Sequence, residues 1–171
     1  GPERRAAWGA TDEVVAFVDA KRDLIRAART LRADFNLAPK QEADFYIRPS
    51  RPEDANALAA ESAALKPLIR AGRLVIDAGF TPDRAMPSGV SRLGVVYMSI
   101  EGLIDVAAER AKVRAQIEKA DQELDRMARK LQNADFVAKA PPALIEQQQA
   151  RQREAAGKRD KLVHLLEMLG D

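Results

Sequence analysis

The stretch VAAERAKVRAQIEKADQELDRMARKLQNADFVAKA, residues 106–140, followed by PPALIEQQQARQREAAGKRDKLVHLLEMLG, residues 141–170, states its own geometry. From Val106 a register steps alternately by four and three: Val106, Arg110, Val113, Ile117, Ala120, Leu124, Met127, Leu131, Ala134. A second register runs Ile145, Gln148, Gln152, Ala155, Arg159, Leu162, Leu166, Leu169. Such alternation makes a repeat of about 3.5 residues, the mark of a coiled-coil seam. Between the runs, Pro141-Pro142 breaks the helix, because proline lacks the N–H and restricts its predecessor. The expectation is an antiparallel hairpin. Pairing Val113 with Leu166, Ile117 with Leu162, Leu124 with Ala155 and Ala134 with Ile145 centres every layer between Lys139 and Ala140. An arm of roughly 30 residues reaches about 45 Å at ~1.5 Å per residue. Phe136 and Val137 are expected to fold over its tip.

Outward from the hairpin, residues 41–102 read as a small β-α-β-β unit. Ala43–Arg48 is a strand stopped by Pro49, and Ser50-Arg51-Pro52-Glu53 has the pattern of a capping box. The helix it opens should face Leu58, Leu65, Leu68 and Ile69 inward, with a kink or split at Pro67. Arg73–Asp77 and Leu93–Ile100 are the second and third strands, the first two parallel, with residues 79–91 as loop. Before them, Gly1–Ala10 reads as irregular and Thr11-Asp12-Glu13 as a helix start. Val14, Val18, Ile25, Ala28, Leu31 and Phe35 then recur at helical spacing, with Arg22, Arg26, Arg29 and Arg32 opposite. The expected fold is mainly α with a small α+β part. A long antiparallel coiled-coil hairpin is attached to a three-stranded β-α-β-β subdomain and an N-terminal amphipathic helix. The domains fall at 1–40, 41–102 and 103–171.

Composition narrows the function. The chain has 171 residues, 32% of them charged and only 5% aromatic, and no cysteine, so thiolate metal sites and disulfides are excluded. Its net charge of +2 does not by itself announce a nucleic-acid binder. No run reaches the ~18 apolar residues of a membrane span, and the opening Gly1-Pro2 suggests a processed or excised piece. The one histidine, His164, falls on an outer helical position, where a solvated side chain is the expectation. No glycine-rich phosphate loop or paired-histidine metal motif occurs, and nothing marks the chain alone as an enzyme. Asp125 with Arg129, Glu154 with Lys158 and Glu109 with Lys112 read as surface ion pairs.

Nucleic-acid binding is the better candidate. Lys112, Lys119 and Arg126 recur every seven residues and line one stripe, with Arg114, Arg129 and Lys130 beside it and Lys139 at the apex. A basic stripe suits a phosphate backbone read by charge and shape. Arg26, Arg29 and Arg32 of the first helix form a weaker candidate. The opposing reading is a solvated coiled-coil face, since Glu118 and Asp125 occupy the neighbouring stripe.

Two segments carry a resemblance. Leu31-Arg32-Ala33-Asp34-Phe35-Asn36-Leu37-Ala38-Pro39 resembles the Arg-Ala-Glu-x-Asn-hydrophobic-x-Pro run that closes the last anticodon-domain helix of valyl-tRNA synthetases. Phe136-Val137-Ala138-Lys139-Ala140-Pro141 resembles the Phe-Val-x-Lys-Ala-Pro at the tip of that family's C-terminal coiled coil. The resemblance covers the chain from about Thr11 onward. It implies a C-terminal region comprising that helix, an α/β linker and a tRNA-binding arm. By the same resemblance, the arm would contact the outer corner of tRNA(Val). The parent would be an ATP-dependent, cytoplasmic ligase of valine to tRNA. The family's catalytic signatures and editing domain are absent from this stretch, so no cofactor is expected here, ATP belonging to the parent. Expected partners are tRNA and the rest of the synthetase, with no membrane and a monomeric chain. The alternative is a structural coiled-coil module for protein association or dimerisation. Asp34, Pro142 and Gly157 depart from the family pattern.

Overall fold

The computed structural model describes the backbone of residues 2–170 and the side chains of residues 12–170. The chain divides into two compact units, the first ending at Leu103 and the second beginning at Ile104.

The first unit contains α1 (Pro2–Asp34), β1 (Ala43–Pro49), α2 (Pro52–Ile69), β2 (Ala71–Ile76), β3 (Ser88–Ser91) and β4 (Gly94–Met98). The four strands make one mixed sheet in the order β2-β1-β4-β3. β1 and β2 are parallel, joined through α2, while β4 runs antiparallel to both β1 and β3. Alternation along β1 decides the faces: Phe45 and Ile47 are almost fully buried, while the alternate residues Tyr46 and Arg48 are half-buried. Phe45 and Ile47 sit opposite Met98 and Val96, so these four side chains share one face. Packing from α1 and α2 closes the core. Leu24, Ala28, Leu31 and Phe35 are buried on α1, and Leu58, Leu65 and Ile69 on α2. The other sheet face carries Tyr46 stacked on Phe80 at 4.7 Å, Tyr97 edge-on to Phe80 at 5.1 Å, and the Arg48 guanidinium over Tyr97.

Several expectations need correction. The first helix begins at Pro2 and not at Thr11, so the predicted start lies inside it. Val14 is 62% exposed, although it keeps the helical spacing of the buried stripe. A fourth strand, Ser88–Ser91, occupies the expected loop; its four residues pair with β4 although they lack a β-forming run. No capping box forms at α2: Arg51 is the N-cap without a side-chain cap bond and instead pairs with Asp54 at 3.0 Å. Pro67 does not split the helix. It sits in the last turn, where only a terminal hydrogen bond is forfeited, and Arg70 closes α2 in the left-handed conformation. Leu68 points away from the stripe of Leu58, Leu65 and Ile69 and is 44% exposed. Gly94 is required where β4 begins: its φ is +144°, and a Cβ would strike Arg48 O and come within 2.8 Å of Pro49 Cα.

The second unit contains α3 (Val106–Gln132), α4 (Ala134–Lys139) and α5 (Pro142–Met168). Asp105 caps α3 by accepting from Ala108 N–H at 3.1 Å. Asn133 ends α3, and its side chain accepts from Phe136 N–H at 3.2 Å to open α4. The break between the long helices therefore holds a helical turn, and the chain reverses at Ala140-Pro141. Val137 is 41% exposed and does not seal the tip.

Candidate nucleic-acid interface

α3 and α5 pack along one another, and two links fix their sense. The Arg110 guanidinium donates to Leu169 O through Nε at 2.9 Å and a terminal nitrogen at 2.6 Å, with Gly170 O at 3.5 Å. Farther along α3, Arg159 donates to Asp121 through Nε, and a second nitrogen lies 3.5 Å from the other carboxylate oxygen. That carboxylate pushes the guanidinium pKa of Arg159 further up, first through the hydrogen bond and then through its charge. Partners fall in number on α5 as they rise on α3, so the helices are antiparallel. The screened positions follow the alternating register: Val106, Arg110, Val113, Ile117, Ala120, Leu124, Met127 and Leu131 are all buried or half-buried. On α5, Ile145, Gln148, Gln152, Ala155, Arg159, Leu162, Leu166 and Leu169 do the same. Ala134 is exposed, because α3 has already ended.

Lys112, Arg114, Lys119, Arg126, Arg129, Lys130 and Lys139 are all exposed. They do not form one surface. Lys112, Lys119 and Arg126 share a face by their seven-residue spacing. Arg114 and Arg129 fall on other sides of α3. The Lys130 ammonium lies 5.0 Å from the Phe136 ring centroid, a cation–π contact that ties α3 to α4. Lys139, with Asn133, Asp135, Phe136, Ala140 and Leu144, rims a shallow depression of about 370 Å³ at the tip. Lys112 is 4.0 Å from Glu109, and Lys158 is 3.5 Å from Glu154. No ion pair joins Asp125 to Arg129 among the described residues. His164 is exposed, with Nδ1 3.8 Å from Glu167, a contact that becomes an ion pair on protonation.

A groove of about 550 Å³ opens where α3 meets α5. Ala120 and Ala155 leave its floor low, while Lys119 from α3 and Arg151 and Lys158 from α5 stand at its rim. Sequence reasoning missed Arg151 and Lys158. Their seven-residue spacing was available, but only the antiparallel register brings them beside Lys119.

In the first unit, Arg26 is exposed, and Arg29, also exposed, donates to Leu68 O at 3.1 Å. Arg32 is a correction. It is 8% exposed and donates to Ala38 O at 2.9 Å, Gln41 O at 2.6 Å and Arg70 O at 3.4 Å. Its guanidinium is committed to backbone carbonyls and cannot meet a ligand. Burial, and then the charge of Arg70, lowers its pKa. Among the described residues, no group of three metal-ligating side chains occurs, and no helix is long and apolar enough to cross a membrane.

The second unit is thus a capped pair of antiparallel helices with exposed cations at its rim, a helical-hairpin appendage that comes after a small mixed-sheet unit in the chain. Residues 105–170 match the family described as the valyl tRNA synthetase tRNA binding arm. Over 82% of its length the chain is 34% identical to a valine–tRNA ligase of Gluconobacter oxydans. It is 31% identical to that of Geobacillus kaustophilus and 30% to that of Bacillus subtilis, each over 81% of its length. The chain belongs to the valyl-tRNA synthetase family and corresponds to its C-terminal region. It spans 16% of the length of these relatives.

Proposed function

We propose that this chain serves a valyl-tRNA synthetase by holding tRNA(Val) through its second unit, an antiparallel coiled-coil arm that meets the outer corner of the tRNA. The observation that carries the reading is the exposed row Lys112, Lys119 and Arg126, on a pair of helices whose sequence matches a tRNA-binding-arm family. Successive members of the row are about 10.5 Å apart along the helix, at ~1.5 Å per residue. Cations at this spacing meet phosphates and sugars, and confer affinity and orientation with little base specificity. The alternating register of screened positions and the Arg110 and Arg159 links support the coiled-coil hairpin. The parent enzyme would use ATP to join valine to tRNA in the cytoplasm. This chain supplies no cofactor site to that reaction and acts as a monomer.

The test is tRNA binding against ionic strength. Changing Lys112, Lys119 and Arg126 together to Ala should weaken binding and reduce the log–log salt slope by about 2–3, near 0.7–0.9 per lost phosphate contact. An unchanged affinity and slope would reject the row as a contact. Sedimentation gives the oligomeric state: a dimer that strengthens with concentration would favour a structural coiled-coil module instead.

A further inference from the structure

The arm has two unlike sides. In the antiparallel register, the side that opens the groove carries Lys112, Lys119, Arg126 and Lys130 from α3 and Arg151, Lys158 and Lys161 from α5. Its carboxylates are Glu109, Glu123 and Glu154, and two of these lie beside Lys112 and Lys158. Seven cations thus face three acids. Across the seam the balance reverses. Glu118 and Asp125 from α3 and Glu146 and Asp160 from α5 occupy the opposite side, with Asp121 engaged by Arg159. The cations there are Arg114 and Arg153. Each helix has a cation-rich flank and an acid-rich flank, and the antiparallel pairing sets the two cation-rich flanks on the same side.

We infer that the RNA-binding surface of the arm is this groove-bearing side of both helices, with Arg151 and Lys158 of α5 engaging the phosphodiester backbone together with Lys119 of α3. The inference rests on the proposed tRNA-binding function and goes further by assigning the face and the second helix. Charge complementarity selects the occupant: a polyanion gains at the groove side and is repelled at the reverse, so the arm accepts RNA from one direction. The low floor at Ala120 and Ala155 lets a backbone approach between the two rims.

The experiment compares full-length variants for binding to a tRNA transcript across a salt series. Arg151→Ala/Lys158→Ala should weaken binding on the order of tenfold and reduce the salt slope by about 1.4–1.8, the share of two phosphate contacts. Arg151→Lys/Lys158→Arg, which keeps both charges, should restore the slope. Arg153→Ala, which removes one exposed cation from the reverse side, should leave the slope unchanged. Circular dichroism checks that helix content is kept. If the α5 pair is silent while the α3 triple variant loses binding, the two-helix face is wrong and the tRNA-binding function stands. If the slope falls as much for Arg153→Ala as for each groove cation, the sidedness is overturned. If the unaltered chain shows no salt-dependent tRNA binding, the function itself fails and the inference with it.

Discussion

Arg32 and Arg29 stand one turn apart on the same helix, and sequence spacing treats them alike. Their surroundings do not. Arg29 keeps an exposed side chain with one bond to Leu68 O, whereas Arg32 is withdrawn among three carbonyls. A buried carbonyl left without a donor costs about 1–3 kcal/mol, and charge-assisted bonds are the strong ones. Arg32→Ala should therefore destabilise the first unit by roughly 3 kcal/mol in chemical denaturation, with salt-dependent tRNA binding unaffected below the transition. A fall in salt slope for the folded variant would return Arg32 to the binding set. Periodicity could not separate the two arginines, because what distinguishes them is the turn at residues 36–41 and the left-handed Arg70. Both are tertiary partners that no spacing reveals.

At the scale of the element, α3 and α5 were readable because their geometry is one-dimensional: a register of small and apolar residues, ended by prolines. The strand Ser88–Ser91 was not. Its four residues, Ser-Gly-Val-Ser, become a strand because β4 offers a free edge, and local propensity says little there. The α4 turn was hidden for a similar reason, since Asn133 both ends α3 and caps α4. The groove cations were half legible: the α3 row came from spacing, and the α5 row needed the pairing. Gly157 gives a clean test of local energetics. It lies inside α5, and a Cβ built there meets nothing within 4 Å. Gly157→Ala should stabilise the arm by about 0.5–1 kcal/mol, since alanine loses less backbone freedom in a helix. Thermal unfolding measures it, and a lowered midpoint would show that the glycine is needed for shape.

Across the molecule, burial is uneven. Phe45, Ile47, Leu58, Leu65, Val96 and Met98 are at most 1% exposed in the first unit. In α3, α4 and α5, the buried residues are Val113 and Met168, with Leu169 just beyond α5. Helices held by a narrow seam open locally at lower free energy than strands within a closed core. Hydrogen exchange should therefore show the amides of residues 120–155 exchanging well before those of β1 and β4. Equal protection in both units would mean that they open together.

The Arg32 clasp has a consequence for how such chains diverge. Its three acceptors are main-chain oxygens of Ala38, Gln41 and Arg70, so the bonds are indifferent to the side chains at those positions. Drift at residues 38, 41 and 70 leaves the acceptors in place, while loss of the guanidinium has no single-residue remedy. Among related chains, position 32 should stay arginine without any covarying partner, a signature that pairwise covariation would overlook.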